Sequence, residues 1–281
     1  MTGFSADWLS LRESADHAAR DKALLQRLAE ALADRDSVEI IDLGCGTGSN
    51  LRAVAPALRQ KRQSWRLVDH DAGLLVAARD TLAGWADEAM RDGDALELVK
   101  GGRHLRVSFI QADLARDIEP VLDPAPDLVT AAALFDLCAR DWIFAFANAV
   151  ARRRALFYTA LTYDGREIWQ PPHPADSVML AAFHAHQVTD KGFGRSAGPE
   201  ATSALEEAFA SRDYRCEIGD SPWRLTGEDA ALIAALAQGQ AEAVAQTMQV
   251  EPEQIASWLA ARGEAGVECV IGHQDLLAVP Q

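Results

Sequence analysis

The residues best placed to do chemistry are a glycine loop and three acids. Asp42-Leu43-Gly44-Cys45-Gly46-Thr47-Gly48 follows the apolar run Val38-Glu39-Ile40-Ile41 and precedes a segment of helical spacing. Glycines in that setting let the chain turn sharply and bring backbone amides close to a ligand. A dinucleotide-binding loop spaces its glycines G-x-G-x-x-G; this one reads G-x-G-x-G, with Ser49 where the third dinucleotide glycine would fall. Asp69, with His70 beside it, closes a second apolar run. A carboxylate there either accepts from both hydroxyls of a ribose or is a solvated loop acid. Asp113 closes a third run, and with the Leu114 amide it could meet the edge of an adenine. Open α/β sheets bind ligands at the edge where such strands end.

These motifs resemble those of the class I S-adenosylmethionine-dependent methyltransferases, over roughly residues 36–161 and more loosely the last strands. The resemblance implies S-adenosyl-L-methionine as cofactor. Asp42 then opens the first motif, Gly44 and Gly46 line the methionine part, Asp69 with His70 meets the ribose, and Asp113 with Leu114 meets the adenine. Asp127-Leu128-Val129-Thr130-Ala131-Ala132 looks like the family's fourth strand, which implies that Ala131 and Ala132 pass beside the methionine amine and the transferred methyl. The family usually closes an N-terminal helical segment over the cofactor. Arg12 would then pair with the methionine carboxylate, a contact that the guanidinium fork suits, the alternative being an exposed arginine on a surface helix.

The cofactor brings an activated methyl group, so the protein must mainly hold an acceptor in line and exclude water. If a proton must leave, a carboxylate, histidine or tyrosine within reach suffices. The candidates are Asp136 after the fourth strand, Tyr163 and Asp164 after the fifth, and His184, His186, Asp190 and Lys191 beyond it. His184 and His186 diverge by about 200° on a helix, so no metal site is expected; either one contacts substrate or both pack. Lys191-Gly192-Phe193-Gly194-Arg195 reads as a lid or as a solvated loop. Trp223 and Trp258 are candidate pocket walls or core residues.

These side chains must be positioned by alternating elements. Strands are expected over residues 38–43, 65–68, 105–110, 128–132, 155–161, 214–218 and 267–279, with helices over 50–58, 74–85, 142–151, 177–187, 201–210, 226–246 and 253–262. Residues 8–33 read as one or two amphipathic helices with a break near Ser14 or Asp16, both able to cap. The fold class is therefore α/β, with a doubly wound, mostly parallel seven-stranded sheet, helices on both faces, an N-terminal helical cap and helical insertions. Residues 1–36 form the cap, 37–163 the cofactor-binding core, 164–199 an insertion over the sheet edge, and 200–281 the rest of the sheet with a helical insertion at about 226–262.

Composition narrows the partners. The 281 residues are 49% hydrophobic and 25% charged, as in ordinary globular proteins. A net charge of −15 repels a phosphate backbone. The fourth strand runs into Ala133-Leu134-Phe135-Asp136 without the Pro-Pro and aromatic of amino-directed nucleic-acid methyltransferases, and no Pro-Cys nucleophile occurs. A small-molecule acceptor is expected, with no nucleic acid and no membrane. Four dispersed cysteines and a start without a basic, then apolar, leader suggest a reduced, cytoplasmic protein. Two other classes remain, a non-catalytic or regulatory S-adenosylmethionine-binding protein of the same fold and an NAD-dependent oxidoreductase.

Overall fold

A computed structural model describes residues 4–281. The chain opens with two helices, α1 (Ala6–Ala19) and α2 (Lys22–Ala31), and then alternates: β1 (Ser37–Leu43), α3 (Ser49–Val54), β2 (Arg62–Asp69), α4 (Ala72–Trp85), the hairpin β3 (Glu88–Asp92) and β4 (Ala95–Lys100), β5 (Arg103–Gln111), α5 (Leu114–Val121), β6 (Leu128–Ala132), α6 (Arg140–Arg152) and β7 (Leu156–Gln170). The remainder is α7 (Asp176–Gln187), α8 (Ala201–Ala210), β8 (Tyr214–Asp220), β9 (Trp223–Leu225), α9 (Ala230–Thr247), α10 (Pro252–Arg262) and β10 (Glu268–Pro280).

The strands form one sheet in the order β3-β4-β5-β2-β1-β6-β7-β10-β8, with β9 paired to the outer part of β10. The five central strands, β5, β2, β1, β6 and β7, are parallel, and both flanks are antiparallel. Ten strands among the described residues replace the expected seven. The additions are the β3–β4 hairpin and β9.

Register puts alternate residues of the central strands on opposite faces. Ile41, Leu43, Val129, Ala131 and Phe157 meet α5, α6 and α8 in an apolar core. Ile40, Leu67, Leu128 and Tyr158 meet α2, α3 and α4 in a second.

Three local expectations change. The helix break falls at Arg20, since Asp21, whose carboxylate accepts from the Leu24 amide at 2.9 Å, caps α2. Ser14 and Asp16 lie within α1, and Asp16 is committed to other partners. Residues 164–170 are not insertion: β7 continues through Gly165, at φ +87°, to Gln170 and pairs with residues 268–271 of β10. The sheet thus sends out a long two-stranded ribbon. A helix, α5, fills the stretch left unassigned after Asp113.

A third core explains the ribbon. Tyr163, Trp169, Trp223, Cys269 and Ile271 pack with Met179 of α7, Ile233 and Val244 of α9 and Trp258 of α10, and Trp8 and Ala15 of α1 lie against them. Residues 175–187 and 226–262 therefore share one helical cap, rising beyond the C-terminal ends of the parallel strands, while Phe193 and Ala197 pack on the first core. No helix among the described residues is long and apolar enough to cross a membrane.

Candidate functional site

The glycine loop leaves β1 with Gly44, Gly46 and Gly48 at φ +62°, +52° and +78°, a region that side-chain-bearing residues avoid. The tip of β2 fastens it: the Gly46 amide donates to Asp69 Oδ2 at 2.9 Å. The Asp71 amide donates to Asp69 Oδ1 at 3.0 Å, and His70 Nδ1 lies 3.3 Å from the same oxygen. Asp69 is buried while His70 is exposed. Asp113 sits at the tip of β5, where its Oδ1 caps α5 through the Ala115 amide at 3.0 Å, and Leu114 is buried below it. Ala131 is buried and Ala132 half-buried at the end of β6. The three acids thus end adjacent parallel strands.

α1 lies over this edge. A Cβ on Gly46 would come within 2.8 Å of Leu9 Cδ1, so Leu9 occupies the space that the glycine opens. Arg12 departs from the exposed-arginine alternative, being buried. Its Nε and Nη2 donate to Asp16 Oδ2 and Oδ1 at 2.9 and 3.1 Å, and its guanidinium stacks 4.8 Å over Trp223. The Trp223 indole also donates to Asp16, at 3.0 Å. Much of the fork expected to meet a ligand carboxylate is therefore spent inside α1.

The sequence reading missed Arg20. It ends α1, and its position is pinned by the next residue, whose amide donates to Asp275 of β10 at 3.0 Å. Arg20 is buried, and its Nε and Nη1 have no acceptor. Its charge acts on Asp42 and Tyr158, which share one row of the sheet with Thr130. Asp42 Oδ1 accepts from Asn50 at 2.6 Å, while Asp42 Oδ2 and Asn50 Oδ1 have no partner. Burial pushes the Asp42 carboxyl up to about 7, opposed by the Asn50 hydrogen bond and Arg20. An arginine at a helix end carries no sequence signal of its own. The capping Asp21 beside it could have drawn attention to the junction.

Further along the edge, Asp136 stands in a 3-10 turn after β6, half-buried, with Oδ1 unpartnered. Burial raises its carboxyl to about 6, and Arg12 pulls it down. The Tyr163 hydroxyl lies 2.8 Å from Glu167 Oε1 and 3.1 Å from His184 Nε2. The negative charges of Glu167 and Asp136, added to burial, raise the phenol well above its usual range. His184 has its pKa lowered by burial. His273, also not anticipated, packs on Trp223 and Tyr163, and burial holds it neutral at about 3.

Other candidates do not gather there. His186 turns to Gln246 and Lys191. Asp164 pairs with Arg166. Asp190 ties its own loop through the Gly192 and Gly194 amides. That loop is docked, since Phe193 packs edge-on against Trp142 at 4.9 Å and the Trp142 indole donates to the Leu114 carbonyl at 3.1 Å. Trp258 lies in the outer cap, bonded to Asp176.

No family model matches the chain, and no curated protein matches it. Solved structures do. A Bacillus halodurans C-125 protein, provisionally assigned as a methyltransferase, is 14% identical over 93% of this chain and 99% of its own, at a TM-score of 0.52. A cyclopropane-fatty-acyl-phospholipid synthase-like protein of Lactobacillus casei is 15% identical over 98% of this chain and 94% of its own, at a TM-score of 0.53. A SAM-dependent methyltransferase of Geobacter sulfurreducens, solved with S-adenosyl-L-homocysteine, is 15% identical over 100% of both chains, at a TM-score of 0.47. The first two likenesses show the fold: this chain has the fold of the class I methyltransferases.

Proposed function

We propose that this chain is an S-adenosylmethionine-dependent methyltransferase with a small-molecule acceptor. The observation that carries the reading is the set of unpaired polar atoms buried beneath α1. Arg20 Nε and Nη1 lack acceptors, and Asp42 Oδ2 and Asn50 Oδ1 lack donors. A buried polar group left unpaired costs roughly 1–3 kcal/mol, so such a set favours a ligand that completes it. An α-amino-acid end group is complementary to it, with a carboxylate for Arg20 and an ammonium for Asp42 and Asn50. The methionine end of the cofactor fits these residues.

In this reading Arg20, rather than Arg12, takes the carboxylate. Asp69 keeps lone pairs for the ribose, Asp113 and Leu114 flank the adenine, and Ala131 and Ala132 border the methionine chain. Leu9 must move off Gly46 to admit a ligand along the loop, and its return excludes water. Bound there, the cofactor supplies a methyl group already activated on a sulfonium. Asp136 would take up a proton when the acceptor must lose one, since a group that titrates at about 6 is part-way matched to neutral pH. Tyr163 and His184 would position the acceptor from the cap side.

The cap supports a small acceptor, because α1, α7, α9 and α10 enclose the edge on a core of their own, and the −15 charge disfavours nucleic acid. The test supplies cofactor labelled in its methyl group with deuterium to separate metabolite, protein and RNA fractions of a cell extract. Label is expected in the metabolite fraction. Label confined to protein or RNA contradicts the acceptor class, and cofactor binding without transfer to any fraction contradicts catalysis.

A further inference from the structure

The helical cap holds a cavity of its own, of about 370 Å³, between the outer part of β7, the start of α7, α9 and α10. Its lining includes Ile168 and Leu180, while Trp169 and Trp258 are buried behind it with the Arg262 guanidinium 5.2 Å over each ring. Small-molecule sites have this size and character, a few polar groups set in an apolar lining.

Two carboxylates line it, and they differ. Asp176 is neutralised, since it accepts from the Arg262 guanidinium and from the Trp258 indole, the latter at 2.8 Å. Glu167 has no such partner. Its Oε1 accepts from Tyr163, and its Oε2 accepts from Gln240 at 3.0 Å and from the Trp169 indole at 3.4 Å. All three donors are neutral, and no lysine, arginine or histidine among the described residues forms an ion pair with Glu167. Its carboxyl is enclosed enough for burial to raise its pKa. The cavity therefore presents one carboxylate without an ion-pair partner beside the apolar side chains of Ile168 and Leu180. A charge in such surroundings is costly unless paired.

We propose that this cavity binds an organic cation, a protonated amine carried on a flat apolar body, with the ammonium against Glu167 and the body against Ile168 and Leu180. The site is joined to Tyr163 through the Glu167 carboxylate, so it adjoins the machinery assigned above. The occupant is either the acceptor itself or a separate ligand of the same chemistry, and only the first alternative rests on the methyltransferase reading.

The experiment uses the full chain and two probes of equal shape, tryptamine and tryptophol, which differ in an ammonium against a hydroxyl. Calorimetry should give tryptamine at least tenfold tighter binding than tryptophol. Glu167→Gln should remove that preference while leaving S-adenosylhomocysteine binding within threefold. Leu180→Trp, which fills the cavity without touching Glu167, should weaken both probes. Equal binding of the two probes, or a preference that survives Glu167→Gln in a variant that still binds S-adenosylhomocysteine, overturns the proposal. Incubation of the wild type with S-adenosylmethionine and tryptamine separates the two sources, because a product 14 Da heavier identifies the cavity occupant as acceptor and unchanged tryptamine identifies a separate ligand. Failure of S-adenosylhomocysteine to bind the wild type would count against the methyltransferase reading alone.

Discussion

The two faces of the central strands are built from alternate residues of the same segments and both bury apolar cores, yet only one of them carries a row of buried polar groups as well. On one, Ile41, Leu43, Val129, Ala131 and Phe157 meet hydrocarbon, and Phe157 packs on Phe135, Phe146 and Phe209 with centroids 4.9 to 5.2 Å apart. On the other, the row Asp42, Thr130 and Tyr158 faces Arg20 and Asn50, with Asp275 reached through the Tyr158 hydroxyl. Burying polar groups weakens a fold unless each is paired. A chain that keeps one face apolar and sets an unpaired polar row into the other has divided its labour. Both cores hold the sheet together, while the polar row leaves buried atoms without partners.

The sharpest way to test that division is to damage the apolar face. Phe157→Ala should cost about 4 kcal/mol in urea unfolding, as large buried aromatics do, while the folded fraction keeps its affinity for S-adenosylhomocysteine. Loss of affinity without loss of stability would erase the distinction. On the polar face the effect should reverse. Arg20→Met should weaken S-adenosylhomocysteine by about 3 kcal/mol, roughly a hundredfold, if charge-assisted bonds are lost. S-Adenosyl-3-thiopropylamine, which lacks only the carboxylate, should bind wild type and variant alike, and Arg12→Met should not reproduce this selectivity.

Asp42 offers a pH-dependent effect. Folding raises its pKa from the ordinary carboxylate range to about 7, so between about pH 4 and 7 the folded chain holds a proton that the unfolded chain has released. The stabilisation is fully present below that window and is lost as pH rises through it. Asp42→Asn should therefore gain on the wild type with rising pH, by on the order of 4 kcal/mol between pH 4 and 8. Parallel stability profiles for the two proteins would place the charge elsewhere.

What the sequence made legible followed from how strongly each element is constrained. Parallel strands buried on both faces must be apolar runs, so β1, β2, β5, β6 and β7 could be found, and with them the acids at their tips. The first strand of the hairpin could not be read from hydrophobicity, since Glu88-Ala89-Met90-Arg91-Asp92 is exposed throughout. Two signals were overlooked, the apolar run Ala95-Leu96-Glu97-Leu98-Val99 of its second strand and the turn pair Asp92-Gly93, with Gly93 at φ +59°. Gly165 and Pro171 suggested a loop, but Gly165 only bends β7, which its antiparallel partner carries on. Arg12 and Arg20 differ in their partners for a reason that spacing cannot reveal. Asp16, four residues on along α1, captures the first, whereas nothing near Arg20 in sequence accepts from it. His184 and His186 parted as their two-residue offset required, and only His184 reached Tyr163.

The central claim is that the polar edge beneath α1 is a nucleoside site completed by an amino-acid end. Calorimetric titration of the wild-type chain with S-adenosylhomocysteine and, in parallel, with NAD addresses it most directly. The account predicts one-to-one binding of S-adenosylhomocysteine and no heat with NAD. Tighter binding of NAD, or no binding of S-adenosylhomocysteine to a protein free of carried-over ligand, would contradict it.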